Sequence, residues 1–244
     1  MLSMLVTRPE PDASDTAARL RALDIDPVIA PLLQFELLNT TLPPAEGFAA
    51  IAATSANALR ALHERGEIPH FAHLPLYAVG DRTAAAAREL GFAEVVSASG
   101  DLPALVDLLA HADIAGPIFY PAARNPSGDL GKALAPHGIM VIAAPVYRMA
   151  PLTARLAEVL DRLDAGQISA ALFYSRRTAE TFVSIADSRL GRSAHLGLGM
   201  LCLSDAVAAP LIDAHFVRIS LADHPNEAAM LSLALSFARE QNPA

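Results

Sequence analysis

Short runs made almost wholly of apolar residues recur along this chain, each followed by a polar turn and a stretch with helical spacing. Ala49–Thr54, Leu76–Val79, Ile118–Tyr120, Ser169–Tyr174 and Met200–Leu203 are examples. A strand that is apolar on both faces has to be covered on both faces, as in a parallel sheet between two helix layers. The fold class is therefore α/β. The pattern also repeats: Ala50–Ser55 resembles Ala170–Ser175 at an offset of 120, and Ala78–Asp81 resembles Cys202–Asp205 at 124. Pro31 and Pro145 differ by 114. Such drift is what loop insertions produce, so the chain reads as two similar doubly wound parallel-sheet domains with a cleft between them.

Local signals set the expected elements. Met4–Thr7 reads as a strand, and Asp12 with Asp15 three residues on predicts a capped helix. Val28–Ala30 and Gln34–Leu38 read as extended. Ser55-Ala56-Asn57 opens a helix to about Glu64, Gly80–Thr83 opens one to Leu90, and Gly100-Asp101 opens another. Pro121 is expected to end the Ile118–Tyr120 strand, and His137-Gly138 to end a helix begun at Asp129. Met140–Ala144 reads as a strand that closes at Pro145-Val146-Tyr147-Arg148. Beyond it, Thr153–Leu163 has amphipathic helical spacing, Phe216–Ser220 reads as the last long strand, and Asn226 as the cap of a C-terminal helix.

Composition removes several classes of function. A net charge of −8 argues against a surface for nucleic acid or anionic membrane. Aromatics are 5% with no Trp, which leaves little for a base-stacking platform. The single cysteine, Cys202, excludes a disulfide framework and fits a reducing compartment. The N-terminus shows no signal-peptide pattern, and no run approaches the ~20 apolar residues of a membrane span. A cytoplasmic protein is expected.

Ligands of parallel α/β sheets bind beyond the carboxyl ends of the strands, where helix N-termini present free N–H groups. The polar turns of this chain fall at such ends: Thr7-Arg8, Ser55 with Asn57, Gly80 with Arg82-Thr83, Arg124-Asn125 with Ser127, Ser175-Arg176, and Ser204. Each could cap its own helix and do nothing more. Six of them on one edge exceed what capping requires, and together they suit a carboxylate or phosphate ligand.

Other motifs carry less. Gly197-Leu198-Gly199 precedes a strand instead of following one, against a dinucleotide fingerprint. Gly128–Lys132 lacks the P-loop spacing, and neither Ser55 nor Ser175 sits in a nucleophile elbow. His63, His70 and His73 cluster in sequence, but Pro69 and Pro75 place the last two in a loop, so no metal site is expected. Tyr147 has two readings. It can be a packing residue with its hydroxyl in water, or a hydrogen-bond and proton donor, since a phenol of ordinary pKa near 10 is protonated at neutral pH.

An ordered set of short motifs resembles one known family across nearly the whole chain. They are Val6–Pro9, Thr54–Ala58, Val79–Ala84, Pro145–Arg148, Phe173–Ser175, Leu203–Ala208 and Pro225–Ala228, and the family is uroporphyrinogen-III synthase. The resemblance implies one domain from residues 1–34 plus 150–244, a second from 37–147, and two linker strands near 32–36 and 147–150. It implies dehydration and cyclisation of hydroxymethylbilane, a linear octacarboxylate, with inversion of ring D in the active-site cleft, and no metal or organic cofactor. The lack of an obvious apolar surface helix makes a monomer the default. The upstream hydroxymethylbilane synthase is the implied partner. The resemblance places the one catalytic tyrosine at Tyr147 and substrate-binding positions at Ser55, Gly80, Thr83, Ser175 and Ser204. Thr7, Arg8, Asn57, Arg82 and Arg124 join them from the turn argument. The alternative left open is a non-catalytic two-lobed sensor for a small carboxylate.

Overall fold

The computed structural model describes residues 2–152, 154–186 and 188–241, with 154–157 described by backbone alone. In chain order the elements begin with β1 (Leu2–Val6), α1 (Asp12–Arg21), β2 (Ile25–Ile29) and β3 (Leu33–Leu37). Then come β4 (Ala50–Ala53), α2 (Ala56–Glu64), α3 (Ile68–Phe71), β5 (Leu76–Ala78), α4 (Asp81–Glu89), β6 (Val95–Ser97) and α5 (Leu102–His111). β7 (Ile118–Ala123), α6 (Leu130–Leu134) and β8 (Val141–Pro151) follow. The rest is α7 (Ala154–Asp164), β9 (Ala170–Phe173), α8 (Arg176–Ala186), α9 (Arg192–Gly197), β10 (Gly199–Cys202), α10 (Asp205–Asp213), β11 (Ile219–Leu221) and α11 (Glu227–Gln241).

These form two compact units, Met1–Gln34 with Ala150–Ala244 and Phe35–Met149. Unit 1 holds the sheet β11-β10-β9-β1-β2, whose printed pairings are all parallel. Unit 2 is built on β3-β8-β7-β4-β5-β6, and β8-β7-β4-β5-β6 is parallel throughout. β3 joins β8 the other way: Leu38 N–H donates to the Val146 carbonyl and Leu152 N–H to that of Leu32. One partner's number rises as the other's falls, so this pair is antiparallel.

The sequence repeat is a repeat of sheet order. β6-β5-β4-β7-β8 and β11-β10-β9-β1-β2 are the same arrangement, with the chain entering at different strands. In unit 2, α5 leads directly from β6 to β7. In unit 1 the equivalent helix is α11, and the strand beside it, β1, lies at the other end of the chain.

Each sheet is sandwiched. In unit 2, Leu59, Leu62, Phe71, Phe119 and Val146 pack on one face, and Leu105, Leu109, Ile118 and Leu130 on the other. In unit 1, Leu160, Phe173, Phe182 and Leu211 fill one side, and Met4, Leu20, Met230 and Phe237 the other. Each such side chain adds roughly 1.5–3 kcal/mol on full burial, and this two-sided burial stabilises strands only three to six residues long.

Several local signals act as expected. Ser55 Oγ accepts the Asn57 N–H, Asp101 Oδ1 the Ala104 N–H and Asn226 Oδ1 the Ala229 N–H. Gly138, at φ 72°, ends the turn after α6 in the left-handed region that glycine enters freely. Gly199 is required for another reason. A Cβ there would stand 2.4 Å from the Phe237 ring, so this glycine lets α11 pack on β10 and has no link to a dinucleotide turn.

Other expectations fail. Asp12 is the first residue of α1 and caps nothing; its Oδ2 accepts from Arg8 instead. Pro121 does not end β7, which runs on to Ala123. β4 pairs with β7 only at Ile118 and Phe119, so Pro121 meets no ladder on that side. β8 does not close at Pro145; it continues to Pro151, paired with β7 as far as Tyr147 across a register shift. His70 lies in the short helix α3, with Pro69 in its first turn, where a missing N–H costs nothing. The last strand is the three-residue β11, not the long Phe216–Ser220. The helix start expected at Thr153 lies outside the described residues, as do the outer limits at residues 1 and 244; α7 is described from Ala154.

Candidate active site

In unit 2 the strand order β8-β7-β4-β5 brings Tyr147, Arg124, Ser55 and Gly80 to adjacent positions along the carboxyl edge. The Arg124 N–H donates to the Tyr147 carbonyl at 2.8 Å. Tyr147 itself is only 6% exposed and stacks on Phe35, with ring centroids 5.5 Å apart. Its ring is therefore held by the α2/α4 face of the core, more deeply than the half-buried position expected of a packing tyrosine. Ser55 and Asn57 are half-buried, and the Asn57 amide reaches Met149 Sδ at 3.9 Å.

Next along the edge, Gly80 caps α4 at φ −156°, which any residue adopts. A Cβ there would meet nothing closer than the Gly100 carbonyl at 3.7 Å, so the fold does not demand glycine. The missing side chain leaves the α4 N-terminus uncovered. Arg82 is exposed in the first turn of α4, and Thr83 is buried behind it. Asp81 Oδ1 accepts from Ser97 at 2.7 Å and Ser99 at 2.9 Å, and these hydroxyls hold its carboxyl below the ordinary range.

Unit 1 spends its polar groups differently. Thr7 is fully buried and donates across the sheet to the Leu172 carbonyl. Arg8 lies over the Tyr174 ring at 4.1 Å and bonds Asp12 Oδ2 at 2.8 Å, Thr16 and Glu227 Oε2. Thr16 donates to the second Glu227 oxygen. Two carboxylates already meet the Arg8 charge. Ser175 Oγ accepts the Thr178 N–H at 3.2 Å and lies 2.7 Å from Thr178 Oγ1. Ser204 stands at the N-terminus of α10 with its hydroxyl making no cap, and exposed Asp205 follows.

Groups that the turn argument passed over emerge at the same edges. The Tyr120 hydroxyl lies 2.9 Å from Thr54 Oγ1 between β7 and β4, and burial raises its pKa. Tyr174 sits beneath Arg8 with its hydroxyl buried beside Thr16 and Glu227, and burial first, then the Glu227 carboxylate, push its phenol well above the ordinary range. Both tyrosines end apolar runs; that position was the only sequence signal. The Cys202 thiol is pushed up to about 12 by burial, which keeps it out of nucleophilic chemistry at neutral pH. Among the described residues no helix is long and apolar enough to cross a membrane, and no three His, Cys, Asp or Glu side chains gather as metal ligands.

These features define a two-unit α/β protein with hydroxyls, an uncovered helix N-terminus and arginines along parallel-sheet carboxyl edges, a set suited to a small polyanion. Residues 14–232 match the HEM4 family model, described as Uroporphyrinogen-III synthase HemD. The chain belongs to the uroporphyrinogen-III synthase family. Two solved structures share its fold. The Helicobacter pylori 26695 uroporphyrinogen-III synthetase is 21% identical with TM-score 0.69, covering 97% of this chain and 100% of that one. A mutant uroporphyrinogen III synthase from the extreme thermophile Thermus thermophilus is 19% identical with TM-score 0.66, covering 99% and 100%. No curated protein sequence matches significantly.

Proposed function

We propose that this chain performs its family's reaction: it dehydrates and cyclises hydroxymethylbilane, inverting ring D, to give uroporphyrinogen III in tetrapyrrole synthesis. It is then a lyase whose substrate loses its terminal hydroxyl as water while a carbon–carbon bond closes the macrocycle. The family match over residues 14–232 carries this reading. The polar edges support it chemically, since a substrate with eight carboxylates needs N–H donors, hydroxyls and arginines spread over many contacts. Acceleration comes largely from holding the flexible chain so that the ring-D carbon attacks at the inverted position.

Tyr147 is the proton donor of this proposal. A phenol protonated at neutral pH gives its proton to the departing hydroxyl. The packing of Tyr147 against Phe35 restricts its ring to one orientation, and its strand neighbour Arg124 supplies a cation on the same edge. Ser55, Asn57, Gly80, Arg82, Thr83, Ser175 and Ser204 serve as substrate contacts. Thr7 and Arg8 then act by holding unit 1 together, since their side chains are engaged within it. The protein works as a cytoplasmic monomer without a cofactor, receiving its substrate from the upstream synthase.

The deciding assay adds purified protein to fresh hydroxymethylbilane and identifies the isomer formed. Type III product is expected; the spontaneous type I isomer alone would end the proposal. Tyr147→Phe should lower turnover by roughly ten- to a hundredfold, whereas Ser55→Ala or Ser175→Ala should change it little. Full turnover by Tyr147→Phe would remove the proton-donor role.

A further inference from the structure

The turns after β1 and β7 occupy the same place in the two sheets, and they are filled in opposite ways. In unit 1 the turn holds Arg8 between Asp12, which begins α1, and Glu227, which begins α11, with Tyr174 just after β9 beneath it. In unit 2 each of those neighbours is replaced. α6 begins at Leu130, α5 begins at Leu102, and Thr54 stands just after β4. Leu102 packs so closely on Gly128 that a Cβ on the glycine would come within 2.4 Å of it. The helix over this part of the sheet is also shorter, five residues in α6 against ten in α1.

The result is a cavity of about 490 Å3 in unit 2, where unit 1 has the Arg8, Asp12, Glu227 and Tyr174 contacts. Its walls include Ala122, Val141 and Pro145 from β7 and β8, with Tyr120 and Arg124 as polar members. Arg124 is exposed, and among the described residues it makes no ion pair. The one carboxylate on the wall, Asp129, turns an oxygen to its own helix, accepting the Lys132 N–H at 2.9 Å. Tyr120 is only 3% exposed, and its hydroxyl pairs with that of Thr54.

We propose that this cavity is a carboxylate subsite, in which Arg124 pairs with one acidic arm of the ligand and Tyr120 sets the polar end of the wall. This rests on the substrate reading above, which supplies a ligand rich in carboxylates. At about 490 Å3, near the lower end of the roughly 300–1,000 Å3 usual for ligand pockets, the space admits part of a tetrapyrrole and not the whole. Tyr120 lines the same wall with its hydroxyl 2.9 Å from Thr54 Oγ1, a polar end that carries no charge.

The test measures binding of the fluorescent octacarboxylate uroporphyrin, beside turnover of hydroxymethylbilane, by the full chain and two variants. Arg124→Gln should weaken uroporphyrin binding and raise KM roughly three- to fivefold, with kcat nearly kept, because one charge-assisted contact is lost at an exposed site. The gap from wild type should narrow as salt is raised. Val141→Phe fills the cavity while leaving every charge in place, and should raise KM to a similar degree. Equal uroporphyrin binding by wild type and both variants overturns the subsite, as does a wild type that binds no uroporphyrin. Arg124-dependent uroporphyrin binding without type III product would keep the subsite and overturn the catalytic reading.

Discussion

Units 1 and 2 share a sheet order but not a way of closing it. In unit 2 the chain itself carries α5 on to β7, so helix and strand are neighbours by connection. In unit 1, α11 and β1 come from opposite ends of the chain, and a polar cluster joins them. Arg8 after β1 binds Glu227 at the start of α11, and Thr16 of α1 binds the same carboxylate. The comparison explains why an arginine after the β1 strand and an arginine after the β7 strand have different work. Bringing separate ends together costs loop-closure entropy that a continuous unit does not meet. A mostly buried, doubly paired Arg8 offsets part of that cost, and Arg124, free of such a task, stays exposed.

Removing the Arg8 clamp should have the largest effect. Arg8→Met leaves Asp12 and Glu227 without their cation in a mostly buried setting, and should cost about 2–3 kcal/mol, read as a lower denaturant midpoint with earlier hydrogen exchange in α11. If exchange in α11 is unchanged, the cluster does not hold the helix.

Alkaline pH tests the same cluster more gently. The folded state favours the neutral Tyr174 phenol, raising its pKa above the unfolded value near 10. The associated stability is whole below about pH 10 and is lost as pH rises through the folded value. Thermal midpoints of the wild type should therefore fall above about pH 10. Burial also raises Tyr120 and Tyr77 in unit 2, so the informative quantity is the difference made by Tyr174→Phe, which should flatten the curve. A curve of unaltered steepness would mean that Tyr174 titrates as in the unfolded chain.

Capping compares the two equivalent helices directly. Asp101→Ala at α5 and Asn226→Ala at α11 each remove one accepted N–H bond and should each cost about 1 kcal/mol. A much larger loss at Asn226 would show that α11 depends on its cap because no chain connection to β1 supports it. The smallest effect belongs to Arg124→Gln, whose stability should stay within about 0.5 kcal/mol of wild type. A larger destabilisation would give Arg124 a structural role like that of Arg8.

Much of the architecture was legible because it rests on local chemistry. Ser55, Asp101 and Asn226 stop and start helices through bonds within three residues, and Gly138 ends one through its own backbone freedom. Strand limits were less legible. β8 runs through Pro145 to Pro151 because first β7 and then β3 pair with it, and neither partner is near it in sequence. Pro121 is a parallel case, since whether a missing N–H matters depends on where β4 leaves the strand. Among site residues, the edge positions followed from strand ends, but the opposite fates of Arg8 and Arg124 did not.

The α/β class, the repeated unit and the polar strand ends, Ser55 and Gly80 in one unit and Ser204 in the other, could be read along the chain. Apolar runs and helix caps act over a few residues, so their physics is written in order along the chain. Which groups at these strand ends are already engaged depends on the folded arrangement within each unit. Glu227 reaches Arg8 across more than two hundred residues, while Leu102 and Gly128 leave a cavity beside Arg124. Charge pairing and cavity shape depend on distances through space, and those exist only once both sheets have formed.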